Sequence, residues 1–142
     1  MGGAFVAVTA AGCSSASIAV VPPRPGAAVA AGCARLAAAL PDRIEGMSSR
    51  ATTPKSPLVH AWGEPPVVLR CGVPAPPGIA GAELTVVNGV RWLERQGADA
   101  VVWTALRPHN RYVQLTIPTS YQAQAAYLVD LAGPLRRAFP AS

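Results

Sequence analysis

His60, Trp62, Glu64 and Arg70 fall within eleven residues of one another, inside the run Ser56 to Gly78, SPLVHAWGEPPVVLRCGVPAPPG. The same run holds Cys71 and six of the chain's fifteen prolines. A carboxylate and an imidazole so close in sequence could act as a general acid–base pair, with the guanidinium clamping an anion. That would be hydrolytic chemistry carried by Glu64 or His60. The competing reading gives these side chains structural work. Trp62 then fills the edge of a core, while Glu64 and Arg70 form a salt bridge or meet solvent.

The rest of the chain favours the structural reading. It has no G-x-S-x-G elbow, no phosphate-cradling glycine loop and no paired carboxylates at a readable spacing. No catalytic residue is therefore assigned, and His60, Trp62, Glu64 and Arg70 stand as binding candidates. There is no C-x-x-C, and His60 and His109 lack ligand spacing, so neither a metal nor another cofactor is expected.

The elements that must position these residues follow from periodicity. Val29, Cys33, Leu36 and Leu40 line one face of a helix that Pro41 ends. Met47 to Pro57 is polar and reads as a loop, and Val67 to Cys71 reads as a strand carrying Cys71 at its end. Leu84 to Val87, Asn88-Gly89 and Val90 to Leu93 form a hairpin, because Asn-Gly supplies the positive φ angles of a type I′ turn. In that register Val87 faces Val90 and Thr85 faces Trp92. Glu83 would oppose Glu94, so the ladder frays there.

Ala100 to Ala105 is a further strand, and Tyr112 to Ile117 alternates cleanly until Pro118 stops it. Thr119 or Ser120 would cap a final helix with the stripe Tyr121, Ala125, Leu128, Ala132, Leu135 and Phe139. Gly133-Pro134 should kink or split that helix. The expected class is α+β: an antiparallel meander of roughly four to five strands with an N-terminal and a C-terminal helix packed on one face. Residues 26–142 form this single domain.

Composition narrows the function classes. Charged residues are 13% of the 142, well under the usual share of about 25%. The net charge of +5 comes from eleven arginines and Lys55, dispersed except for Arg136–Arg137. No basic run is interleaved with aromatics, so a nucleic-acid partner is not expected.

Residues 1–25 read as an address. Gly2 to Gly12 is apolar or small apart from Thr9, too short to cross a bilayer, and ends in Ala10-Ala11-Gly12-Cys13. That triplet looks like a bacterial lipobox, with Cys13 receiving the lipid, although Ala10 stands where leucine is usual and no basic n-region precedes it. Cleavage after Ala10 also fits. Ser14 to Pro25 then reads as a Pro-rich tether.

Three cysteines leave an odd one over in an exported protein. If Cys13 takes a lipid, Cys33 and Cys71 remain as one pair, closing a loop of about 39 residues. Three buried free thiols in a cytosolic protein are the other reading, since cytosolic disulfides are rare.

With these pieces assembled, the chain resembles a family of small actinobacterial exported proteins, domain of unknown function 3515. The resemblance rests on Cys33 to Pro41, the AWGEPPVVLRCG run (Ala61 to Gly72), NGVRWL (Asn88 to Leu93) and VQLTIP (Val113 to Pro118). It implies a signal or lipobox ahead of one compact domain, supports the Cys33–Cys71 pairing and carries no established activity. The expectation is an exported domain, lipid-anchored at Cys13 or secreted, that binds an envelope component or a protein partner.

Overall fold

The computed structural model of the chain describes residues 2–4 and 16–141, so Cys13 and the lipobox lie outside the described residues. The strands are β1 (Ile18–Ala19), β2 (Arg43–Ile44), β3 (Met47–Arg50), β4 (Thr52–Thr53), β5 (Val59–Trp62), β6 (Val67–Cys71), β7 (Thr85–Val87), β8 (Val90–Gln96), β9 (Ala100–Arg107) and β10 (Arg111–Pro118). The helices are α1 (Ala27–Ala39) and α2 (Ala125–Ala138). The class is α+β, but the antiparallel sheet has eight strands rather than four or five, in the order β2-β3-β5-β6-β10-β9-β8-β7. β1 pairs in parallel with β4 beside it.

The extra strands come from the stretch expected to be a loop. Ser48, Ser49 and Thr53 are polar and exposed, as suits short strands near a sheet edge, and their ladders depend on partners far along the chain. Nor is the sheet a plain meander. β6 lies beside β10, not β7, so the chain from Gly72 to Leu84 must cross to the far edge before the last four strands fold back. Nor is α1 the first element of the chain, because β1 precedes it.

Register decides what each face buries. Val113 pairs with Cys71 and Ala105, and Leu115 with Leu69 and Trp103. With Val67, Ile117, Val90 and Trp92 they form one apolar face, on which Leu36 of α1 and Leu128, Leu131 and Leu135 of α2 are fully buried. Burial of each such side chain contributes about 1.5–3 kcal/mol. Cys33 lies on the inward stripe of α1, and the helix stops where expected, with Leu40 as its C-cap before Pro41.

The hairpin forms in the expected register, with Val87 opposite Val90 and Thr85 opposite Trp92. Its ladder stops at Thr85, so Glu83 stays outside the pairing. α2 departs from expectation at its start. It starts at Ala125, with Gln124 as N-cap, because Ala123 at φ 54° breaks any helical run from Thr119 or Ser120. It also runs unsplit through Pro134, which is buried in the core.

The stretch read as a tether is docked from Ala16 on. The Ile18 and Val20 amides donate to the carbonyls of Ala51 and Thr53, Pro23 is buried, and Pro25 rests on Gly72. No helix among the described residues is long and apolar enough to cross a membrane.

Candidate functional site

β5 and β6 form a hairpin around Gly63–Pro66, and this hairpin distributes the four candidate side chains. Trp62 pairs with Val67 and His60 with Leu69, so both rings belong to the helix-bearing face. Trp62 is buried, and its indole Nε1 donates to the Pro41 carbonyl at 3.2 Å. That bond ties the hairpin to the end of α1.

His60 is only part-exposed, and its Nε2 bonds the Pro57 carbonyl at 2.9 Å. Burial pushes the imidazole below its usual range, partly offset by that hydrogen bond. Glu64 lies beyond the strand, exposed, and ion-pairs with Arg50 rather than Arg70. Arg50 also donates to the carbonyls of Gly63 at 3.0 Å and Ala16 at 2.8 Å, so it knots the hairpin turn to the N-terminal segment.

Arg70 stands opposite Val59 and Gln114, on the other face of the sheet. Its Nε donates to the Val21 carbonyl and its Nη1 to Gln114 Oε1, both at 3.2 Å. The structure therefore does not bring the four together. His60 and Trp62 sit behind the sheet, Glu64 at its rim and Arg70 in front. Glu64 and His60 share no hydrogen bond, so an acid–base pair has no geometry to act through.

Cys71 ends β6 on the helix side and is bonded to Cys33 of α1, with Cα atoms 5.7 Å apart and both residues fully buried. Part of the polar and proline-rich run braces this staple. Trp62 anchors the hairpin to Pro41, and Gly72, at φ 88°, turns the chain away directly after the cysteine.

The helix-free face carries an open cleft. Pro74 to Pro77, on the crossing from β6 to β7, lies over Arg70, Val102, Thr104 and Gln114, leaving a cleft of about 350 Å³. Arg95 closes one side by donating from Nη2 to the Pro77 carbonyl at 2.7 Å. Of the four candidates only Arg70 reaches this cleft. Arg95, Thr104 and Gln114 were missed, although the polar half of the β10 alternation, Gln114 and Thr116, marked the face they lie on. No group of three or more His, Cys, Asp or Glu side chains that could hold a metal ion occurs among the described residues.

Fold and site together define a disulfide-stapled α+β domain with an open antiparallel sheet, helices on one face and a proline-roofed cleft on the other. The chain belongs to the family described as protein of unknown function (DUF3515), whose model matches residues 2–142. No curated protein and no solved structure matches it.

Proposed function

We propose that the chain is an exported, non-enzymatic binding domain, held at the membrane through Cys13 or secreted, that engages an envelope component or a protein partner. The observation that carries this reading is the fully buried Cys33–Cys71 disulfide. Such bonds persist in oxidising compartments and are rare in the cytosol. The small-residue run before Cys13 supports the same address.

Binding is favoured over hydrolysis because Glu64 is engaged with Arg50 and His60 with Pro57. Arg70, Thr104, Arg95 and Gln114 instead line a cleft with a proline wall. Guanidinium groups beside an apolar wall suit a ligand with an apolar body and an acidic end.

Intact-mass measurement on protein from its native membrane fraction tests the address. The expected product begins at Cys13, carries a diacylglycerol adduct and is two hydrogens light for the disulfide. A secreted chain cleaved after Ala10 would keep the export reading and remove the anchor. A full-length, reduced and unmodified chain would overturn the proposal.

A further inference from the structure

A second cleft lies at the opposite end of the sheet from the β5–β6 turn. The Asn88-Gly89 turn, the end of β9 and the end of α2 enclose about 510 Å³, lined by Gly89, Arg91, Leu106, Arg107, Pro108 and Arg136, with Pro140 and Ala141 completing it. Three guanidinium-bearing residues from three separate elements line one cavity. Arg50–Glu64 is the only side-chain ion pair among the described residues, so none of the three has a carboxylate partner among them.

Part of this cluster has a structural explanation. The last carbonyls of a helix lack partners within it and attract cations. Arg107 Nη2 donates to the Phe139 carbonyl at 2.6 Å, and Arg35 Nε to the Ala138 carbonyl at 3.1 Å. Those two bonds supply the end of α2, so it needs neither Arg91 from β8 nor Arg136.

Arg107 is also incompletely satisfied. It is only 9% exposed, and its buried Nε has no hydrogen-bond partner. Burial pushes its guanidinium below the usual range, and repulsion from Arg136 and then Arg91 adds to this. An unpartnered buried donor beside two like charges is costly unless something negative comes to it.

We infer that the cleft of Arg91, Arg107 and Arg136 is an anion-binding site for a phosphate-bearing group, such as a phosphorylated polymer unit or a phospholipid headgroup. A tetrahedral phosphate offers enough acceptor oxygens for the three guanidinium-bearing residues that line the cavity, where one carboxylate has two. The cavity is larger than phosphate itself, so it has room for a substituted phosphate. The site is independent of the proline-roofed cleft and of the compartment.

The test is titration of the full chain, followed by amide chemical shifts, with inorganic phosphate, glycerol phosphate and acetate. A parallel arm measures sedimentation with vesicles containing phosphatidylglycerol, against phosphatidylcholine alone. Both phosphate probes should shift the amides around Gly89, Arg107 and Arg136, acetate should do so far more weakly, and added salt should weaken the effect.

Arg91→Gln with Arg136→Gln should weaken binding at least about tenfold, since a hydrogen bond to a charged group is worth about that much or more. Arg137→Gln is the control, because the Arg137 guanidinium folds back beside Gly133, outside the cleft. Arg91 and Arg136 are exposed, so their loss should not unfold the domain; if the pair does, Arg136→Gln alone carries the test. Variant-sensitive vesicle binding that exceeds glycerol phosphate binding assigns a lipid headgroup, and the reverse assigns a soluble or polymeric phosphate. Absence of phosphate binding, equal response to acetate, or equal loss in Arg137→Gln would overturn the proposal.

Discussion

Pro25 packs flat against Gly72: a β-carbon at Gly72 would stand 2.7 Å from Pro25 Cγ and 2.8 Å from its Cβ. The contact joins the N-terminal segment to the residue that follows the disulfide, and only glycine permits it. Gly72→Ala should destabilise the domain by about 1–3 kcal/mol, since φ 88° is also strained for any other residue. Urea unfolding measures the loss. Limited proteolysis should show earlier cleavage around Pro22 to Gly26 in the variant. Unchanged stability would mean that this contact does not hold the segment.

Arg50 holds the same segment from the other side. Arg50→Ala removes donors from the Ala16 and Gly63 carbonyls and the ion pair to exposed Glu64. The expected loss is about 1–3 kcal/mol, most of it from the charge-assisted bonds to backbone. Hydrogen exchange should quicken at the Ile18 and Val20 amides, which donate to Ala51 and Thr53. Glu64→Gln, by contrast, should change stability by under about 0.5 kcal/mol, because exposed ion pairs contribute little.

The Cys33–Cys71 bond closes a loop across 38 positions of sequence. Replacing both cysteines by alanine should cost about 2–4 kcal/mol in unfolding free energy. The same shift should appear in the wild-type chain on adding reductant under denaturing conditions, and the double variant should not respond to reductant.

His60 makes stability depend on pH in a defined direction. Its pKa is lowered from 6.5 in the folded state, so below that value the unfolded chain binds more protons than the folded one. Stability is therefore full above about pH 6.5 and is lost as pH falls through the lowered folded value, with a slope of at most about 1.4 kcal/mol per pH unit. His60→Gln should flatten this dependence between about pH 7 and 5 when unfolding is measured across that range.

The elements with strong local patterns were readable from sequence. Asn88-Gly89 set a hairpin whose register follows from two φ angles, and Val113, Leu115 and Ile117 announced a strand with one buried face. Val29, Cys33, Leu36 and Leu40 placed α1 because Pro41 ends it so firmly. What was hidden depends on distant partners. Ser48, Ser49, Thr52 and Thr53 carry no apolar alternation, and they become strands only because β5 and the N-terminal segment offer them ladders.

The candidate side chains separate for a related reason. Closeness in sequence put His60, Glu64 and Arg70 together, whereas strand parity and a hairpin turn send them to two faces and a rim. Arg91, Arg107 and Arg136 lie 45 positions apart from first to last, and no local signal joins them.

Only three peptide units separate Cys13 from Ala16, whose carbonyl Arg50 grips. Three units reach at most about 11 Å, less than the radius of gyration of about 14 Å expected for a domain of this size. A lipid on Cys13 would thus moor the molecule on a very short leash. It would stand on the bilayer by the edge that carries Arg50, as a foot rather than a kite, and that edge would be closed to any partner arriving from solution.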